Sequence, residues 1–429
     1  KLYKDRIFFI GPDIWKEEES PWFLEDRSLY ASWCDYAFES QHLEIRAGRW
    51  NVPGSPIVFL VKFEQFRERQ NEIYAKMWID YGVDSIQAYG DYFESTMFAY
   101  ATGLLIESFY RFHQLESDHV VAHFNEWMLG AGALYIKKFV PKIATLFTTH
   151  ATSIGRSIAG NNRPLYNHLK TYNGDQMARQ LNMVAKHSIE KAAAKNVDCF
   201  TTVSEITARE CAQFLDRQPE VITPNGFEKD FIPKGNTHKL ARKRARKVLL
   251  DVAEKTVGYA LHRDALLIGI SGRYEYKNKG IDVFIEAMNR LRSMQELTRD
   301  VVAFIMIPAW IHGPRRDLQH LLSGSSSPEG TDSQQEPSFV THNLVDPRHD
   351  LIMNQLHHLG FTNSKESSVK IIFVPSYLNG NDGIFNLSYY DLLIGLDLSI
   401  FPSYYEPWGY TPHESVAFSI TTITTSLSG

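Results

Sequence analysis

One pattern recurs along this chain: a short apolar run, a polar or turn-forming end, then a stretch with helical spacing. RIFFIGP (6–12), SPIVFLVKF (55–63), HVVAHFNEW (119–127), KIATLFTTH (142–150) and VDCFTTVS (197–204) carry it in the first half. ALLIGISG (265–272), VVAFIMIPA (301–309), VKIIFVPSYL (369–378) and DLSIF (397–401) carry it in the second. Runs of this length, rich in β-branched residues and bounded by turn signals, read as buried strands. Between them lie helical stretches: about 95–113, about 177–195, and the basic amphipathic THKLARKRARKVLLDVAEK (237–255). Strands alternating with helices predict an α/β chain of parallel, doubly wound sheets. HLEIRAGRW (42–50) alternates like an exposed strand.

At 429 residues the chain exceeds one ordinary core. The expected division is a Rossmann-like first domain (1–236), a basic helical linker with a solvated face (237–264), and a second Rossmann-like domain (265–429). The polar stretch 324–338 reads as a mobile loop. A net charge of −5 gives no reason to expect a nucleic-acid partner. Cys34, Cys199 and Cys211 form no CxxC pair and no metal spacing. Free thiols in a reducing, cytoplasmic compartment are expected. No apolar run approaches a membrane span. The opening KLYKDRIFFIGP and the closing SLSG both look cut, so the expectation is a piece of a longer protein.

In open α/β sheets, ligands sit at the carboxyl ends of strands. SYYEPWGYTPHE (403–414) occupies such a place, between DLSIF and a helix start. The amides of Gly409, Tyr410 and Thr411 would form an anion site, with Glu406 at the mouth of the turn and Glu414 one or two helical turns on. A carboxylate beside an anion site suits a ligand with both hydroxyls and phosphate, such as a nucleotide sugar. The alternative is a Pro/Gly turn with a capping carboxylate. SGRYEYKNKG (271–280) is a second such stretch. Arg273 and Lys279 would suit a pyrophosphate, one as a planar fork and one as a point charge. Cations placed there could carry leaving-group charge without a metal. The alternative is surface pairing with Glu275 and Asp282. The chain has no GxGxxG and no GxxxxGK[ST] motif, which argues against a dinucleotide or P-loop site.

GRYEYKNKG, VKIIFVPSYL and YYDLLIGLDLSIFPSYYEPWGYTPHE together resemble the eukaryotic-type glycogen synthases. HLEIRAGRW, VVAHFNEWMLGAG, LFTTHATSIGR, IEKAAAKNVDCFTTVSEIT, PNGF and THNLVDP follow the family's order. The resemblance runs nearly end to end. It implies a retaining, UDP-glucose-dependent glycosyltransferase of the GT-B fold, two Rossmann-like domains facing across a cleft. It implies no cofactor, UDP-glucose as donor and an α-1,4-glucan such as glycogen as acceptor. A homo-oligomer remains open.

Residue by residue, the resemblance implies that Arg273 and Lys279 bind the pyrophosphate and that Glu406 meets the glucose hydroxyls. Glu414 completes a glutamate pair. Trp408, Gly409, Tyr410 and Thr411 join the donor site, and Tyr389 stacks on the uracil. His150 and Arg156 reach donor sugar and phosphate from the first domain. His123 and Asn125 are candidate sugar contacts. Asn125 stands where the family often has histidine, and an amide cannot shuttle a proton, though it can hydrogen-bond a hydroxyl. The family's Gly-rich loop after the first strand and its arginine-rich regulatory helix are missing from this stretch. A GT-B enzyme with another acceptor, or a non-catalytic glucan- or nucleotide-binding relative, stays open on these residues.

Overall fold

The computed structural model describes residues 4–14, 20–294, 296–324 and 338–429. It forms two units, Lys1–Pro224 and Asn225–Gly429. Nearly all of the polar stretch expected as a loop over 324–338 lies outside the described residues.

The first unit carries two sheets, where one doubly wound sheet was expected. β1 (Phe8–Pro12), β2 (Phe23–Glu25), β3 (Ile45–Trp50) and β4 (Ile57–Val61) run in the order β1-β4-β3-β2. β1 is parallel to β4, but β3 is antiparallel to both its neighbours. Between β3 and β4 the connection 51–56 is too short for the crossover that parallel pairing demands, so these two strands form a hairpin. β4 is fully buried, IVFLV without polar alternation, because the sheet is covered on both faces by side chains. The second sheet, β5 (Val121–Asn125), β6 (Ala144–Thr149), β7 (Cys199–Thr202) and β8 (Val221–Ile222), is all parallel and keeps sequence order. Helix Tyr92–Phe112 and helix Gly130–Phe139 join the two sheets through a core that includes Trp33, Phe59, Met97, Leu105 and Leu134.

The single helix expected near 177–195 is two, Gly174–Gln180 and Val184–Asn196. Asn182 between them takes a left-handed conformation at φ 55°. Asparagine tolerates this conformation better than most residues, so the chain turns without glycine or proline.

The second unit holds β9 (Leu266–Ser271), β10 (Val301–Met306), β11 (Ile311–Pro314), β12 (His342–Leu344), β13 (Val369–Phe373), β14 (Leu398–Phe401) and β15 (Thr421–Thr424). Its main sheet is parallel throughout, in the order β13-β10-β9-β14-β15, while β11 and β12 form a separate antiparallel pair. The order reverses direction at β9, so the carboxyl ends of β9 and β14 lie side by side. That is the switch point at which such sheets bind ligands.

The expected linker helix spans Gly235–Val257 and belongs to this second unit. Ala245, Leu249, Leu250, Ala253 and Val257 are buried in the core with Phe304 and Leu392. Arg242 and Arg246 each donate to Asp397 at 2.6 Å. The helix is therefore amphipathic in the ordinary sense, with one face in the core and Lys239, Lys243 and Arg244 exposed. Among the described residues no helix is long and apolar enough to cross a membrane. All three cysteines are free.

Candidate active site

In the second unit, two loops leave the sheet next to one another. Residues 272–280 follow β9 and residues 402–409 follow β14. The Asn278 carbonyl accepts from the amides of Tyr404 (2.9 Å) and Tyr405 (3.3 Å). This clamps the two predicted stretches together. Gly280 caps helix Ile281–Arg292 at φ 65°. A Cβ there would fall 2.0 Å from the Pro402 carbonyl oxygen. Only glycine permits both the conformation and the approach.

The clamp brings Lys279 and Glu406 into a direct ion pair, with each side chain only 11% exposed. Neither of the partners considered for Lys279 from the sequence is used. Lys277 takes Asp282 instead. For Arg273 the surface alternative is realised: it pairs with Glu275 at 2.9 Å and is 65% exposed. Burying a lysine and a glutamate together is weak evidence of stabilisation, because desolvation offsets much of the attraction. A pair held this way at the mouth of two strand-end loops offers a ligand both a cation and a carboxylate.

Beyond Glu406 the chain turns at Gly409 (φ 98°) into helix Tyr410–Ala417, whose start no side chain caps. Trp408 Nε1, His413 Nδ1 and Ser428 Oγ are buried there without a hydrogen-bond partner among the described residues. Buried polar groups are normally satisfied, and an uncapped helix start with unpaired polar atoms beside it is an arrangement that can receive an anion. Tyr410 is exposed and Thr411 half-buried at that start. Glu414 accepts from the Tyr390 hydroxyl at 2.8 Å, and burial raises its carboxyl above the usual range. Tyr389 places its hydroxyl 2.7 Å from Ser271 Oγ, at the end of β9. Its ring packs against the core shared with Leu392 and Leu393.

The first unit gathers its predicted residues at the ends of β5 and β6. His150 Nε2 lies 3.0 Å from Asn125 Oδ1, and burial holds the imidazole below its ordinary value. With Asn125 Oδ1 as acceptor, the neutral ring carries its proton on Nε2. His123 stands two residues earlier on the same face of β5 as Asn125. Its Nε2 pairs with Thr148 Oγ1 at 2.8 Å, so it takes no part in the His150–Asn125 contact. Arg156 is exposed on helix Ser153–Gly160. It helps to line a cavity of about 500 Å³ with Glu126, Trp127, Ser153 and Lys186.

Glu126 is a residue that sequence reasoning passed over, although it stands in HFNEW. Its backbone sits at φ 65°, ψ 163°, a region that is almost glycine-only and costs on the order of 1–3 kcal/mol elsewhere. Its Oε1 accepts from the His150 amide at 3.1 Å. Burial pushes its carboxyl up to about 7 against the opposing pull of Arg156. Nothing in the local sequence signals that conformation.

A model of the glycogen synthase family matches residues 3–313 and 330–429. Glycogen [starch] synthase isoform 2 of Saccharomyces cerevisiae is 32% identical over 505 aligned residues, covering 100% of this chain and 70% of its own length. This chain belongs to the glycogen synthase family. The glycogen [starch] synthase of Dictyostelium discoideum is 30% identical, over 100% of this chain and 54% of its own. The chain therefore spans 54–70% of the length of these two relatives. Among solved structures, the catalytic domain of Starch Synthase IV from Arabidopsis thaliana, bound to ADP and acarbose, is similar at a TM-score of 0.47 and 15% identity, over 90% of this chain and 69% of that one. The expected glycosyltransferase family is thus the one to which the chain belongs.

Proposed function

We propose that the protein acts as a glycogen synthase, transferring glucose from UDP-glucose to the 4-hydroxyl at the non-reducing end of an α-1,4-glucan, with retention of configuration. The buried Lys279–Glu406 pair carries this reading. Lys279 and Arg273 take the pyrophosphate and its growing charge as the bond to glucose lengthens. The uncapped start of helix Tyr410–Ala417 receives phosphate oxygens. Glu406, released from Lys279 by the donor, hydrogen-bonds sugar hydroxyls near the reacting carbon. Glu414, Trp408, Gly409, Tyr410, Thr411 and Tyr389 complete the donor site, with Tyr389 beneath the base. From the first unit, His150 and Arg156 are assigned to donor sugar and phosphate, and Asn125 and His123 to sugar hydroxyls. The acceptor hydroxyl attacks from the face that UDP leaves, so retention needs no covalent nucleophile. The cations carry the leaving-group charge, so neither metal nor cofactor is required. We place the protein in the cytoplasm, as its free thiols suggest.

Labelled UDP-glucose supplied with glycogen tests this. Glu406→Ala and Lys279→Ala should each lower transfer by about 100-fold or more, the scale on which such electrostatic groups act. A variant that folds and keeps a near-normal rate removes that residue from the site. Label passing to small sugars but not to glycogen points instead to a transferase with another acceptor.

A further inference from the structure

We propose that Glu190 and Glu210 are positioning residues that grip, from behind, the loop carrying His150 and Arg156. The inference rests on the assignment of those two residues to the donor.

Between His150 and Arg156 the chain is held by carboxyls from three separate elements. From the turn after β5, Glu126 accepts the His150 amide. From helix Val184–Asn196, Glu190 accepts the Ser153 amide at 2.9 Å through Oε2, and its Oε1 lies 3.4 Å from Thr149 Oγ1. From helix Glu205–Phe214, Glu210 accepts the Thr152 hydroxyl at 2.7 Å, while the Tyr166 hydroxyl donates to its other oxygen at 2.7 Å. Glu190 and Glu210 are both 0% exposed. Thr152 also caps helix Ser153–Gly160 by accepting from the Gly155 amide. A Cβ on Gly155 would meet Glu210 Oε2 at 2.0 Å. The loop and Glu210 approach so closely here that no side chain beyond glycine fits between them at Gly155.

Fully buried carboxylates are costly, and a structure that only needed to hold this loop could use apolar packing. Glu190 faces Glu126 from the turn and Glu210 and Cys211 from helix Glu205–Phe214. Arg156 acts on Glu126. On its own helix, His187 and Lys191 are taken up by Asp175. From helix Gly130–Phe139, Lys137 and Lys138 turn to Asp198 and Asp80. Among the described residues, the charged groups that act most on Glu190 are thus the acids Glu126 and Glu210. Burial, reinforced by Glu126, pushes its carboxyl up to about 8. A folded-state value above the unfolded one means that the folded protein holds the extra proton. The stability this proton confers is full below the ordinary carboxylate range and is lost as pH rises to that value. Ionised Glu190 then stands against Glu126 and Glu210, and it is this repulsion, not a weaker bond to Ser153, that loosens the loop.

Purified protein is assayed for kcat and KM toward UDP-glucose from neutral to alkaline pH, per folded molecule as measured by circular dichroism. The wild type should lose activity on the alkaline side. Glu190→Gln keeps the acceptor for Ser153 but cannot ionise. It should stay within about threefold of wild type near neutral pH and lose the alkaline fall. Glu190→Ala should lower kcat/KM for the donor by roughly 10- to 100-fold, as misplacing a binding group does. A purely structural glutamate would change the folded fraction and leave the pH profile alone. The proposal is overturned if Glu190→Gln keeps the wild-type alkaline fall, if the wild type shows none, or if folded Glu190→Ala matches wild type. Should Glu190→Ala not fold, Glu190→Gln decides. His150→Ala and Arg156→Ala run alongside. If these two are as active as wild type, the donor assignment itself fails and the positioning role falls with it. If they lose activity while the Glu190 variants do not, only the positioning role fails.

Discussion

Asn125 sets the proton position on His150. Its amide oxygen lies 3.0 Å from Nε2 and has no proton to exchange near neutral pH, so it acts as a fixed dipole. Burial already disfavours the imidazolium, and the neutral ring is the form the site holds. A carboxylate at the same place would favour the charged ring. Asn125→Asp should therefore raise the His150 value. Activity that needs the neutral ring is present above that value and lost below it. The acid-side fall of kcat/KM should move to higher pH in the variant. An unshifted profile would detach His150 from the reaction. Lys279 makes the same point about charge. Its pairing with Glu406 is meaningful because both groups are nearly out of water, whereas Arg273 and Glu275, more exposed, contribute little to stability.

The loops after β9 and β14 act as one element because Asn278 and Gly280 bind them together. Gly280 is the tightest point, with φ 65° and the Pro402 carbonyl where a Cβ would go. Gly280→Ala must push the loops apart or strain the helix start, at about 1–3 kcal/mol. The urea midpoint should fall accordingly. Transfer should fall further than lost stability explains, since Lys279 is the preceding residue. A variant with a lowered midpoint and an unchanged rate per folded molecule would show that the clamp is not needed for the chemistry. The basic helix illustrates a different rule. Its charge suggested a solvated linker, yet the positions that decide its place are Ala245, Leu249, Ala253 and Val257, which lie in the core. Arg242 and Arg246 then reach Asp397 rather than solvent.

Each unit buries its own core and carries its own parallel sheet. The division falls at Pro224–Asn225, ahead of the basic helix rather than after it. A fragment of residues 225–429 should therefore unfold cooperatively and bind UDP through the Lys279 and Tyr410 loops, measured by calorimetry. A fragment begun after the helix, at residue 265, should not, because it exposes the apolar face that Leu249, Leu250 and Val257 cover. If the shorter fragment were equally stable, the helix would be an appendage.

Much of this molecule was legible along the chain. The strands ending at Asn125, Thr149, Ser271 and Phe401 follow from unbroken apolar runs, and the helices from their spacing, because both depend on neighbours a few residues away. The motifs at those strand ends identified the family for the same reason. What could not be read is which ends meet. Lys279 finds Glu406 127 residues away only because β9 and β14 are neighbours in a sheet whose order is not sequence order. The mixed first sheet, the backbone of Glu126 and the grip of Glu190 and Glu210 on the loop after β6 are of the same kind. They depend on how elements pack after they form, and a buried charge or a strained turn takes its meaning from what surrounds it in space.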